Sequence, residues 1–403
     1  MATRLKAKVK PELLVWARES SGFTKDKAAK ALKVEVDVLT KWELGEDAPS
    51  IPKLRKLADL YKRPLAVMYL SAPPMKFQAM RDFRRLAGTS MGAISPAIVI
   101  EERRARQRRE LALELASDLG EEIPPFRLTA SMTEAPEVVA ERVRNALGIT
   151  VDVQRSWRDR EGRLAFKGWR DRIEAQGVLV FQSDKFSSDE ASGFAVWEPI
   201  APIIVISRKA THQRRRTFSL LHEFAHLLVR ASGVSDLEID SDTSRPPEEL
   251  KIEVFCNAVA AAVLVPNSDL LAQAAVQQHP QDSLEWTDEE LGEIAMSFGV
   301  SREVVLRRLL ANRRTTSQFY QEARSRFADE WEQYRVRQKA QKKPEGIPRN
   351  IPQETLGNLG RPFVGMVLQQ YHQERLSLSE AVGYLGLKSK HISKIEQMIR
   401  GHG

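Results

Sequence analysis

The sequence predicts a mainly helical, multidomain α+β chain, and three observations carry that reading. Length is the first: 403 residues exceed what one hydrophobic core usually organises. The second is a spacing of apolar residues by three and four along most of the chain, broken by short β-rich runs confined to 177–207. The third is composition, since 42% apolar and 29% charged residues suit a chain that packs rather than a disordered one. One cysteine, Cys256, excludes an internal disulfide and every Cys-rich metal module, and agrees with a reducing cytoplasm. The basic start MATRLKAKVK leads into no apolar signal core, and no run of about 18 apolar residues occurs, so neither export nor membrane spanning is expected. Sixty-two Lys and Arg against 54 Asp and Glu give a net charge of +8, which permits a polyanionic partner without requiring one.

Residues 1–71 read as an all-α domain. Leu13, Leu14 and Ala17, then Ala28, Ala29 and Leu32, then Val38, Leu39 and Trp42, then Leu54, Leu57, Ala58 and Leu60 form successive amphipathic stripes. Ser20, Ser21, Gly22 and Thr24, then 45–52, supply turns and N-caps between them. Residues 72–124 read as a linker followed by a charged helix, EERRARQRRE running into LALELASDLG. A central domain is expected over 125–315, a charged helix over 316–345, and a helical segment over 346–403 to which no role attaches. In the central domain, helices are expected at Glu137–Leu147 and Trp169–Gln176, then strands in GVLVFQ, GFAVWE and PIIVIS. RRRTFSLLHEFAHLLVR is apolar on nearly all sides and too long for a strand, hence a buried helix. IEVFCNAVAAAVLV is a second such helix, stopped by Pro266. The segments 287–311 and LSLSEAVGYLGLKSKHISKIEQM share with 23–44 a loose helix-turn-helix form.

The chemistry lies in His222, Glu223 and His226, which spell H-E-x-x-H. On a helix, positions i and i+4 share a face, so both imidazoles can bind one metal ion while Glu223 reaches a water on it. The competing reading makes both histidines core residues bonded to carbonyls, which leaves three polar groups on a buried helix without a purpose. A zinc hydrolase needs a third protein ligand and an open position for water. No H-x-x-G-x-x-H continuation follows, so a later carboxylate is expected, and Glu253 at the start of the second apolar helix is the choice. Asp236, Glu238, Asp240, Asp242, Glu248 and Glu249 are its rivals, and a solvated helix-start acid is the alternative for Glu253 itself. Asn257, at i+4, could hydrogen-bond a ligand and fix its orientation. Zn2+ is expected, with Mn2+ allowed by the same ligand types. Such a site implies peptide hydrolysis with Glu223 as general base and no covalent intermediate. An edge strand in GFAVWE or PIIVIS could hold an extended peptide, and Arg214, Arg215, Arg216, Tyr320 and His212 are candidates to stabilise the oxyanion.

Residues 23–45 have the form of a DNA-binding helix-turn-helix, with helices Thr24–Leu32 and Glu35–Leu44 around Lys33 and Val34. Residues 1–71 carry 15 Lys and Arg against 9 Asp and Glu, yet Glu35 and Asp37 sit where phosphate would approach. The unit reads either as a double-stranded-DNA binder, with Lys25, Val36, Thr40 and Lys41 offered to DNA, or as a protein-recognition or dimerisation module of the same shape.

LVWARESSGFTKDKAAKALKVEVDVLTKWELGEDAPSIPKLRKLADLY resembles the XRE-type, Cro/repressor-like helix-turn-helix. RRRTFSLLHEFAHLLV and IEVFCNAVAAAVLVP resemble the two metal-binding helices of the ImmA/IrrE metallo-endopeptidases, which implies a zincin-like, gluzincin-type domain with a small sheet. By that resemblance His222, His226 and Glu253 bind zinc and Glu223 is the base. The resemblance implies a regulatory protease cutting a repressor, usually itself of XRE type, and so releasing stress or mobile-element genes. The chain departs from these patterns at Lys25, where Gln is frequent, at Glu35, where Ser or Thr is usual, and at Arg230, where relatives often carry His. A DNA-binding or antitoxin-like regulator, its peptidase fold a sensor without turnover, is the second reading.

Overall fold

This computed structural model describes residues 6–74, 81–82, 94–157, 159, 162–188, 190–209, 213–235, 247–340 and 349–401. The chain forms two compact units, a smaller one through Gln107 and a larger one from Arg108.

The smaller unit holds α1 (Pro11–Glu19), α2 (Lys25–Leu32), α3 (Val36–Leu44), α4 (Ile51–Tyr61), a 3-10 turn at Leu65–Tyr69, the two-residue strand β1 (Arg81–Asp82) and the first half of α5 (Pro96–Leu119). Its core holds most of the set read from the spacing, Leu14, Ala17, Ala28, Ala29, Leu39, Trp42, Leu54 and Leu57, closed by Tyr61 and Met68, but Val38 is exposed on the outer side of α3 and Leu60 is half-buried. Thr24 caps α2, its Oγ1 accepting from the Lys27 amide at 3.3 Å. Lys33 ends α2 in the left-handed region at φ 54, the sharp reversal that lets α3 cross back over α2. Arg18 donates to Glu43 through Nε at 2.7 Å and Nη2 at 3.2 Å, both side chains buried.

The larger unit contains α6 (Pro136–Leu147), α7 (Val151–Ser156), α8 (Arg163–Glu174), β2 (Leu179–Ser183), β3 (Gly193–Val196), β4 (Ile203–Ser207), α9 (Gln213–Leu228), β5 (Gly233–Ser235) and α10 (Pro247–Leu264). It continues with α11 (Asn267–Leu271), α12 (Ala274–Gln278), α13 (Asp288–Phe298), α14 (Arg302–Ala311), α15 (Ser317–Ala340), α16 (Ile351–Leu359), α17 (Arg361–His372), α18 (Leu378–Leu385) and α19 (Ile392–Arg400). The α+β class and the dominance of helix agree with the sequence. No helix among the described residues is long and apolar enough to cross a membrane.

Three expectations are corrected. Helix α8 begins at Arg163, earlier than Trp169, because the Asp159 carboxylate accepts from the Arg163 and Leu164 amides at 3.0 and 3.2 Å and caps it there. Glu253 does not begin its helix, since α10 starts at Pro247 and carries Glu253 well into its interior. Neither GFAVWE nor PIIVIS is an edge. The strands lie in the order β5, β3, β4, β2; β4 pairs in parallel with β2 and antiparallel with β3, and β3 pairs antiparallel with β5 as well. Both candidate strands therefore have their backbone hydrogen bonds taken on each side, which leaves no ladder for a peptide.

The β2 side of this sheet is closed by the C-terminal helices. Gly357 of α16 accepts from Arg170 Nη1 and Gln182 Nε2, both at 2.6 Å. Phe363 of α17 stands edge-on to Phe181, ring centres 6.0 Å apart, and Arg208 reaches Asn358 Oδ1 at 2.8 Å. The sheet is thus buried through every residue of β2, β3 and β4, as expected for strands covered on both faces.

Candidate metal centre

Helix α9 lies against β3, β4, α8 and α10, and every residue from Thr217 to Leu228 is buried. A helix covered on all sides has no solvated face, so its polar groups must satisfy one another or a ligand. Thr217 and Ser219 bond back to the carbonyls of Gln213 and Arg215 at 3.2 and 3.0 Å. His222 stacks beside Phe218 with centroids 6.5 Å apart, which steadies its ring.

The four-residue spacing aims both imidazoles at one point: His222 Nε2 and His226 Nε2 are 3.1 Å apart. Helix α10 brings Glu253 to the same point, Oε2 at 3.3 Å from His222 Nε2 and Oε1 at 3.2 Å from His226 Nε2. Small residues Ala260, Ala261 and Ala262 further along α10 permit close packing of the buried helices. Glu253 is 0% exposed, so it is no solvated helix-start acid. Of its rivals, Glu248 is exposed and Glu249 half-buried in the first turn of α10, while Asp236, Glu238, Asp240 and Asp242 lie outside the described residues. Among the described residues, His222, His226 and Glu253 are the one group of three whose donor atoms gather for a metal.

The spacing itself tests the fit. Ligands about 2.0–2.1 Å from a tetrahedral zinc stand about 3.3 Å from one another; here the two Nε2 atoms are 3.1 Å apart and each has one Glu253 oxygen at that range, Oε2 at 3.3 Å from His222 and Oε1 at 3.2 Å from His226. The ionisation states agree: burial pushes the His226 imidazolium down, toward the neutral ring a metal needs. For Glu253, burial acts to raise the carboxyl and the two imidazoles more than offset it, leaving it lowered to about 2 and ionised at neutral pH. The other face of the His222 ring is unspent, since its Nδ1 is buried without a hydrogen bond.

Glu223 is fully buried beside His222. Asn257 is 1% exposed with neither side-chain atom hydrogen-bonded, a buried amide aimed at no protein partner. Burial raises the Cys256 thiol well above its usual value, with Glu253 and Glu223 adding to the effect, so this thiol is inert rather than nucleophilic. Sequence reasoning missed Gly193, which lies under the Glu223 side chain; the lone Gly opening GFAVWE was its only signal. Of the oxyanion candidates, Arg216 donates to Gln182 Oε1 at 3.3 Å, Tyr320 is packed into the core, and His212 lies outside the described residues. Lys25 opens α2 within 3.7 Å of Glu43, Val36 opens α3 and is exposed, Thr40 is half-buried and Lys41 exposed.

Two buried helices present a converging His-His-Glu set that could hold a metal ion, and a family comparison covers both of them. Residues 173–310 match the IrrE N-terminal-like domain, a peptidase family. The IrrE-like segment runs from the end of α8 through α14 and so contains the sheet and both metal helices. Residues 14–68 match the helix-turn-helix family model, covering α1 to α4 of the smaller unit. The chain thus joins a helix-turn-helix unit to an IrrE-like peptidase unit, in that order. No curated protein matches the chain.

Proposed function

We propose that the protein is a zinc-dependent, site-specific endopeptidase that cleaves a transcriptional repressor of XRE type and so releases stress or mobile-element genes. The observation that carries this reading is the convergence of His222 Nε2, His226 Nε2 and the two Glu253 carboxylate oxygens, with contacts of 3.1–3.3 Å in a buried setting and Glu223 next to His222. His222, His226 and Glu253 would hold the metal, zinc by preference and manganese by the same donors. When bound, the ion supplies Lewis acidity and lowers the pKa of a coordinated water to about 7. Glu223 takes the proton of the attacking water and delivers it to the leaving amine. The packed helices exclude bulk water and hold Glu223 in place, while the Asn257 amide, which bonds none of the three metal residues, is left to meet a bound substrate. The helix-turn-helix unit brings the enzyme to its target, by DNA or by the repressor itself.

The test is incubation of the purified chain with candidate XRE-type repressors, with zinc and with chelator, read by mass spectrometry. One discrete fragment, absent with chelator and absent for Glu223→Gln, is the expected result. A Glu223→Gln chain that still cuts at the wild-type rate defeats the proposal. The helix-turn-helix match over 14–68 favours a second reading, a DNA-binding regulator whose peptidase fold senses without turnover. It predicts that wild type and Glu223→Gln leave every repressor intact and bind DNA alike.

A further inference from the structure

Three helix pairs in this chain share one register. Leu32, Lys33, Val34, Leu39 and Trp42 of the α2–α3 pair answer, without insertion, to Leu385, Gly386, Leu387, Ile392 and Ile395 of the α18–α19 pair. The α13–α14 pair places Phe298, Gly299, Val300, Val305 and Arg308 at the same positions. The reversal is left-handed in all three, at Lys33 (φ 54), Gly299 (φ 69) and Gly386 (φ 63). The residues that pack the second helix are buried in each pair: Leu39 and Trp42, Val305 and Arg308, Ile392 and Ile395.

What differs is the outer face of the second helix. In the middle pair that face is consumed by the fold: Leu306 is buried and Arg302 is paired with Asp288 and Glu330. In the first pair the outer positions are Glu35, Val36, Asp37, Thr40 and Lys41, acidic and apolar at the tip. In the last pair the corresponding positions are Lys388, Ser389 and Lys390, in and beside a 3-10 turn (Ser389–His391) that leads into α19, and Ser393 and Lys394 on α19 itself, all exposed. The acids nearest that face are turned away. Glu396 faces His372 at 3.3 Å, and Glu380 is engaged in capping α18 through Ser377.

We propose that the α18–α19 pair is a second double-stranded-DNA contact, carried by the peptidase unit itself, with Lys388, Lys390 and Lys394 on phosphates and Ser389, Ser393 and Gln397 toward the groove. The preference for DNA rests on shape and charge. The second helix of such a pair enters the wide major groove of B-form DNA, and the α2–α3 pair whose register it shares lies within the helix-turn-helix match, whereas the deep, narrow major groove of A-form RNA excludes a helix. Lys388 and Lys390, in and beside the 3-10 turn Ser389–His391, and Lys394 in the first turn of α19 are three exposed cations at one tip, with Glu396 held by His372; they suit a polyanion, and hydroxyl and amide side chains between them suit base edges and phosphates. The inference does not depend on the peptidase reading.

The experiment measures binding of the full chain to a mixed-sequence 30-base-pair duplex by fluorescence anisotropy across a salt series. The comparison is with Lys388→Gln/Lys390→Gln/Lys394→Gln and, as control, with Lys25→Gln/Lys41→Gln in the first pair. We expect the C-terminal triple variant to lose at least about tenfold in affinity at low salt and its log–log salt slope to fall by about 0.9 per lysine removed. Photocrosslinking of the wild-type chain to the same duplex should label residues 386–400, a readout that stands even if the triple variant misfolds. Unchanged affinity and slope in a folded triple variant, crosslinks confined elsewhere, or equal lysine-dependent binding to double-stranded RNA would each overturn the proposal.

Discussion

Gly193 of β3 lies directly beneath Glu223 of α9: a methyl group at position 193 would stand 3.1 Å from Glu223 Cγ and 2.7 Å from the Val205 carbonyl oxygen. The second contact is to backbone and cannot yield without moving β4. Gly193→Ala should therefore displace Glu223 while leaving His222, His226 and Glu253 able to bind metal. We expect cleavage to fall about 100-fold, the usual cost of a misplacement near 1 Å, with metal content per chain unchanged. Wild-type cleavage by the variant would refute this.

Metal content should separate Glu253 from its described rivals. Glu253→Ala is expected to purify without zinc, whereas Glu249→Ala, altered in the first turn of α10, should retain it. Elemental analysis after dialysis reads both. Asn257 bonds none of the three metal residues, so Asn257→Leu should leave metal affinity unchanged, and a loss of about 10-fold or more would make it an orienting partner instead.

Glu174 should give the protein a pH-dependent stability. Burial raises its carboxyl from 4.5 to about 7, with Arg170 only partly offsetting. Between those two values the native state holds a proton that the unfolded state has released, so stability is greatest below pH 4.5 and declines as pH rises toward 7. The slope reaches at most about 1.4 kcal/mol per pH unit. Urea unfolding across this range should lose that slope in Glu174→Gln; an identical slope in both proteins would rule the carboxyl out as its source.

The Arg18–Glu43 pair should be costly to break and cheap to replace. Arg18→Ala strands a buried carboxylate and should destabilise the smaller unit by about 3–5 kcal/mol, while Arg18→Met with Glu43→Leu should come close to wild type. Denaturant unfolding followed by the fluorescence of Trp42 checks both variants.

Much of this was legible in the sequence where a short-range rule decides it. The H-E-x-x-H spacing fixes two imidazoles on one helical face whatever surrounds it, so His222 and His226 could be paired from spacing alone. Thr24, Lys33 and the apolar stripes likewise placed α2 and α3 to within a residue at each start. Long-range pairing was not legible. Strand order depends on which chain segments meet across the sheet, so nothing in GFAVWE or PIIVIS marked them as interior strands. The Asp159 cap, acting across several residues, moved the start of α8 in the same hidden way. Glu253 lay between these cases: its residue type followed from the chemistry and its position on α10 did not.

The closure of β2 by α16 and α17 sets a lower bound on how far the chain can be trimmed. A polypeptide ending at residue 310, where the peptidase match stops, would strip Phe363 from Phe181 and leave the outer rung of a parallel strand, with its apolar start Leu179–Phe181, bare to solvent. Bare rungs of that kind recruit one another. The tail to which no role attached in the sequence is, on this view, the molecule's protection against self-association.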